Sequence, residues 1–176
     1  MPDNRCVDVT IELAQESDAE RIAELHVAAW RWAYQDLLPP EYLASLEVDK
    51  RALMWRGALQ TPAIRVWLGR VGGELAGFAA TGPSRDAGAG TSTGEMGALY
   101  VREERTGMGV GSALLSTCVK DLHSRGFHPL TAWVFEKATR AIGFYERHGW
   151  TKDGASRVET FAGKALREVR LHLSRK

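Results

Sequence analysis

An α+β fold, a mixed sheet with helices on both faces, is what this sequence predicts, and three observations predict it. Residues 64–71 alternate apolar and polar, Gly72-Gly73 makes a hairpin turn, and residues 74–81 return as the next strand. A second strand–turn–strand pattern closes the chain around residues 161–164. Between the two hairpins strand-like and helix-like patterns alternate, which requires crossovers that lay helices against a sheet. At 176 residues with 44% hydrophobic content, the chain suits one domain, expected over residues 1–176, that can bury a core.

The elements follow in order. Residues 7–13 alternate as Val, Asp, Val, Thr, Ile, Glu, Leu, a half-buried strand. Ser17-Asp18-Ala19-Glu20 has the capping-box form and starts a helix. Ile22, Leu25, Ala29 and Ala33 mark its inner face, with His26 and Trp30 beside it. Pro39-Pro40 ends it. Residues 41–46 form a short helix and 48–59 another, which offers Leu53, Trp55 and Leu59 for burial. After the first hairpin, residues 82–93 are a Gly/Ala/Ser/Thr-rich surface loop, and 95–101 a strand. The next helix carries Val110, Leu114, Cys118 and Leu122 on one stripe, widened by Leu115 and Val119, and closes at Arg125-Gly126. Residues 128–135 are a strand and 138–148 a helix ended by Gly149. Trp150 opens a strand that runs in pieces to about residue 160, and 166–173 is the last strand.

The most informative stretch is Arg105-Thr106-Gly107-Met108-Gly109-Val110-Gly111-Ser112, three alternating glycines between a strand and a helix. Glycine lets backbone come close to a ligand. The first turn of a helix adds unpartnered N–H groups and a positive dipole end. Together they make a site for a phosphate or pyrophosphate. The bland alternative is a tight connection with no ligand, but three glycines cost more backbone entropy than one turn requires. Two nucleotide motifs fail: no Gly-Lys-Ser/Thr follows, as a P-loop needs, and the spacing is not that of G-x-G-x-x-G.

Thr106-Gly107-Met108-Gly109-Val110-Gly111 resembles the Arg/Gln-x-x-Gly-x-Gly/Ala signature of the GNAT superfamily of acyl-CoA-dependent N-acetyltransferases. Thr106 stands where that family has Arg or Gln, and Arg105 lies one residue early. Arg140-Ala141-Ile142-Gly143-Phe144-Tyr145-Glu146-Arg147-His148-Gly149-Trp150 resembles its second motif, commonly ending Phe-Tyr-Glu-Lys-x-Gly-Phe. The resemblance is strong from about residue 95 to 150 and looser outside. It implies a three-layer α-β-α sandwich with a mixed, mostly antiparallel central sheet, of the acyl-CoA N-acyltransferase type. It also implies acetyl-CoA or coenzyme A as co-substrate, and a small-molecule or peptide amine as acceptor, attacking directly.

Such a reaction needs a deprotonated amine, donors for an oxyanion, and a proton for the departing thiolate. By the resemblance, Tyr145 is the acid and Glu95, near the start of the central strand, the base, acting directly or through water. Read without it, Tyr145 is an ordinary packing tyrosine and Glu95 a strand-end carboxylate. Backbone of Leu99, Tyr100 and Val101 would hold the pantetheine arm, and Gly97 is consistent with a bulge that splays this strand. Thr106, Gly107, Met108, Gly109, Val110, Gly111 and Ser112 would hold the pyrophosphate. The family often has Asn at the position of Ala138, so that contact is lost or moves to Thr139. Trp30, Trp32, Tyr34 and Tyr42 are each ordinary packing residues taken singly; as a cluster they suit the acceptor wall that this family often builds there.

A net charge of +1 offers no global field for nucleic acid or an acidic membrane, although Arg102, Arg105 and Lys120 flank the glycines. Cys6 and Cys118 suggest neither a disulfide scaffold nor a metal site, and Cys118 reads as a core residue. No apolar leader or membrane-length run is visible, so a cytoplasmic protein is expected, with a homodimer left open. A degenerate acyl-CoA-binding sensor is the competing reading, kept by Thr106 and Ala138. The acceptor's identity has no motif.

Overall fold

The computed structural model describes residues 8–174. Among the described residues there are seven strands: β1 (Val9–Leu13), β2 (Arg65–Val71), β3 (Glu74–Pro83), β4 (Gly94–Val101), β5 (Leu130–Phe135), β6 (Thr151–Phe161) and β7 (Lys164–Leu173). They form one sheet in the order β1-β2-β3-β4-β5-β7-β6. All neighbours are antiparallel except β4 and β5. The hairpin turns use left-handed residues, Gly72 and Gly73 in the first, Ala162 and Gly163 in the second. Pairing of β6 with β7 is interrupted between Lys152 and Ser156, so that strand does run in pieces. Val7 and Cys6 lie outside the described residues.

Helices cover both faces, as a three-layer sandwich requires. On one side lie α1 (Ala19–Ala33), α2 (Pro40–Ala44) and α3 (Val48–Leu59). Ile22, Leu25 and Trp55 pack there on Leu68 and Phe78. On the other side lie α4 (Val110–Ser124) and α5 (Thr139–Arg147). The expected α4 stripe of Val110, Leu114, Cys118 and Leu122 is fully buried against Ala79, Leu130 and Leu171. Burial pushes the Cys118 thiol well up, which makes it an inert core residue.

The close approach of α4 depends on two glycines of the sheet. A Cβ on Gly69 would lie 2.9 Å from Val110 Cγ1, and one on Gly77 would lie 2.8 Å from the Tyr100 carbonyl oxygen. Neither has room for a side chain, so the helix settles directly on the strands.

Three local expectations are corrected. The capping interaction runs between Asp18, whose carboxylate accepts from the Gln15 N–H at 2.9 Å, and a single 3-10 turn, not from Ser17. On α3 the inward face is Ala52 and Trp55, while Leu53 is 68% exposed, because one residue's step of about 100° turns it outward. Ala33 is exposed, because it is the last residue of α1 and faces the cavity described below instead of the core.

Candidate active site

The site begins where β4 and β5 separate. Their parallel pairing covers only Gly94, Glu95 and Met96 against Leu130, Thr131 and Ala132. Beyond it, β4 pairs with β3 alone, and residues 133–135 of β5 pair with β7 alone. The cause lies at Gly97. Register on β3 passes from Ala98 opposite Ala80 to Met96 opposite Thr81, which leaves Gly97 without a partner. A bulge adds local twist and turns the strand away from its neighbour. The expected bulge is therefore present. A Cβ on Gly97 would meet nothing closer than 3.7 Å, so the bulge itself does not demand glycine.

A cavity of about 720 Å³ occupies this split. Leu99, Tyr100 and Val101 form its β4 wall, where main-chain polar groups on the open side have lost a strand partner. The glycine turn forms a second wall. Gly107 and Gly109 have φ of 79° and 83°, and a Cβ on either would meet nothing within 4 Å. Only glycine adopts this backbone without strain, and the space above it is open to a ligand. Gly109 is the N-cap of α4, and the first helical bond runs from the Ala113 N–H to the Gly109 carbonyl at 3.0 Å. The N–H groups of Val110, Gly111 and Ser112 precede it and point out of the helix end.

Of the residues expected at the phosphate, Thr106, Gly107, Gly109, Gly111 and Ser112 line the cavity. Met108 and Val110 do not: Met108 is turned to solvent and Val110 into the core, leaving only their main chain near the turn. The Thr106 hydroxyl donates to the Arg102 carbonyl at 3.3 Å and to that of Glu103, so it ties the turn together. Thr139 and Ala138 line the cavity at the start of α5, and Ala138 supplies no side-chain cap.

Tyr145 lies on α5, 7% exposed, with its ring edge-on to Trp150 at 5.2 Å. It lines the cavity, and its hydroxyl has no hydrogen-bond partner among the described residues. Burial pushes the phenol well up, with Cys118 and Tyr100 adding to the effect, so it stays protonated at neutral pH. Tyr34 and Tyr100 also line the cavity, their hydroxyls 3.4 Å apart. Beneath Tyr100, His26 stacks at 5.1 Å and accepts a hydrogen bond on Nδ1 from Trp55 Nε1 at 3.0 Å. Burial, with help from the Arg51 charge, lowers His26 to about 3, so it is neutral.

Glu95 is placed differently. It is 3% exposed and is not part of the cavity lining. Its carboxylate accepts the Arg85 backbone N–H at 2.9 Å and Nε at 3.0 Å, and pairs with Nη2. The loop carrying Arg85 is held by Asp86, which accepts from Trp133 Nε1 and Arg170 Nη1, both at 2.8 Å.

The aromatic cluster divides. Trp32 and Tyr34 line the cavity, whereas Trp30 and Tyr42 pack around Phe161. Of the flanking cations, Arg105 lines the cavity, but Arg102 donates to the Leu75 carbonyl at 2.7 Å and Lys120 lies on the exposed side of α4. Sequence reasoning missed Lys137, Arg140, Arg147 and His148, which also line it, as does one carboxylate, Asp36. Arg140 lies 4.6 Å over the Trp32 ring and so spans from α5 to α1. Their signal was the basic run around the second motif, Lys137 to His148.

Among the described residues no helix is long and apolar enough to cross a membrane, and no group of three His, Cys, Asp or Glu is placed to hold a metal ion.

Comparison with known proteins gives a consistent result. Residues 19–150 match the model of the acetyltransferase (GNAT) family. The uncharacterized N-acetyltransferase YuaI of Bacillus subtilis is 32% identical over 163 residues, covering 93% of this chain and 91% of that protein. The structure of the PaiA N-acetyltransferase from Thermoplasma acidophilum, in complex with coenzyme A, superposes with a TM-score of 0.77 at 17% identity, covering 96% of this chain and 99% of that one. YncA, a putative acetyltransferase from Salmonella typhimurium with its cofactor acetyl-CoA, gives 0.73 at 22% identity, over 95% and 94%. At these identities the two structures establish the fold.

Proposed function

The chain belongs to the acetyltransferase (GNAT) family, and from that premise we propose that it moves an acetyl group from acetyl-CoA to a primary amine of a small molecule or peptide. One observation carries the reading. The cavity in the β4–β5 split is lined both by an open glycine turn with a helix N-terminus and by a protonated, unpartnered phenol. Four cationic side chains, of which Arg105 is ion-paired with Glu74 at 2.9 Å, against one lining carboxylate among the described residues suit a polyanionic co-substrate. Coenzyme A complexes of proteins with this fold support the same choice.

In this scheme the main-chain N–H groups of Val110, Gly111 and Ser112 hold the pyrophosphate. The unpartnered backbone of Leu99 and Val101 holds the pantetheine arm, and the same strand supplies oxyanion donors. The neutral amine attacks the thioester carbonyl, the C–S bond breaks, and Tyr145 gives its proton to the leaving sulfur. The amine's surplus proton goes to solvent. Glu95 can accept it only through a water relay, because its own carboxylate faces Arg85 outside the lining.

A catalytically degenerate acyl-CoA-binding sensor is the second reading. The Thr106 hydroxyl is spent on carbonyls and Ala138 offers no contact, so two of the usual co-substrate anchors are missing. Free-thiol release from acetyl-CoA across a panel of small amines and peptides separates the two. Amine-dependent thiol release establishes the transferase; tight acetyl-CoA binding with no release for any amine overturns it.

A further inference from the structure

We propose that His148 is a pH-sensitive member of the phosphate end of this site, so that coenzyme affinity rises as its imidazole takes up a proton. The inference rests on the coenzyme reading above. His148 follows the last residue of α5, and its ring bridges to the first turn of α4. Nδ1 lies 2.8 Å from the Phe144 carbonyl oxygen, which can only accept, so Nδ1 carries a hydrogen and donates it. The tautomer is thereby fixed, and the neutral ring presents a lone pair on Nε2. That atom lies 3.0 Å from Ser112 Oγ, so the neutral ring takes the hydroxyl hydrogen for itself.

Ser112 and His148 both line the cavity, beside the outward N–H groups of α4. Protonation reverses their hydrogen bond. Nε2–H then donates to Oγ, and the hydroxyl hydrogen is free to turn toward an anion. One proton thus adds a charge and converts an occupied hydroxyl into a donor, with no heavy atom moving. Around the ring, the Phe144 side chain packs at 4.6 Å. Arg105 from the turn before α4, ion-paired with Glu74 of β3 at 2.9 Å, and Lys137, Arg140 and Arg147 from the α5 region share the cavity, with Asp36, which follows α1, the one lining carboxylate among the described residues. A bound pyrophosphate is therefore the anion that would favour the protonated ring. By linkage, a ligand that favours the protonated ring binds more tightly at lower pH.

The test is calorimetric titration of the full chain with dephospho-CoA, which keeps the pyrophosphate but lacks the phosphate monoester that itself titrates near neutrality. Wild type and His148→Gln are compared at about pH 5.5 and about pH 8.5, on either side of the usual histidine range. Glutamine can still reach Ser112 but cannot charge. One added charge in partly screened surroundings predicts wild-type affinity about five- to tenfold tighter at the lower pH. The variant should change by less than about twofold. Ligand-free melting curves confirm that both proteins are folded. Equal pH dependence in the two proteins overturns the inference and leaves the coenzyme site standing. Absence of binding of both dephospho-CoA and coenzyme A at either pH overturns the coenzyme reading, and this inference with it.

Discussion

Two parts of the cavity lining are built from different materials. At α4 the lining is organised by main chain, left-handed Gly107 and Gly109 and then the unpartnered N–H groups of a helix start, with the Ser112 and His148 side chains beside them. The other part is side chain: Trp32 and Tyr34 from the close of α1, Tyr100 from β4 and Tyr145 from α5. A main-chain site is local, so its geometry is written in consecutive residues. A side-chain site needs segments far apart in sequence to meet, and its geometry exists only once they have packed.

That contrast predicts different failures in the two parts. The largest effect is expected in the side-chain part. Tyr145→Phe removes one hydroxyl and keeps a buried ring, so the melting temperature should hold while the single-turnover rate falls by about 10²–10⁴-fold, the usual worth of a general acid. A wild-type rate in the folded variant would make Tyr145 a packing residue.

Next is the buried histidine beneath Tyr100. His26 is lowered to about 3, below the ordinary 6.5 expected of the unfolded chain. Between those values the unfolded chain binds more protons, so stability is lost as pH falls from 6.5 toward 3, at up to about 1.4 kcal/mol per pH unit. Asparagine offers an acceptor to Trp55 and does not titrate. Denaturant melts of His26→Asn across this window should lack that part of the slope; matching slopes would assign acid sensitivity to other groups.

In the main-chain part, Gly109→Val should act on binding. A side chain at φ 83° costs about 1–2 kcal/mol of stability and projects into space now open. The folded variant should lose the rise in melting temperature that coenzyme A gives the wild type. An undiminished rise would place the ligand elsewhere.

The smallest effect is expected at Glu95, which belongs to neither part. Glu95→Gln should slow turnover less than about tenfold and mainly on the acidic side, where a relayed base matters most. An unaltered pH profile would leave Glu95 as the partner that fixes the Arg85 loop.

The same contrast governs what could be read beforehand. The α4 stripe was legible because four apolar residues at helical spacing can face only one way. The bulge at Gly97 was legible because glycine inside a strand marks either a bulge or a close approach, as at Gly69 and Gly77, and it sits in the strand that must splay. Leu53 misled because an apolar residue at the edge of a helical stripe faces inward or outward according to what packs nearby. The family resemblance names Glu95 at the head of its strand, but the direction of its carboxylate is decided by Arg85, ten residues away in a loop without a pattern.

By itself the sequence determined the order of strands and helices, both hairpins, the glycine turn and the family. Each rests on neighbouring residues, where spacing translates directly into backbone conformation. Only the tertiary structure decided that β4 leaves β5 after Met96, that Arg140 reaches Trp32 and that His148 meets Ser112. Those contacts join residues up to 108 positions apart, as Trp32 and Arg140 are. Their geometry follows from how two glycines let α4 settle on the sheet and how α5 packs beside it, which no local pattern encodes.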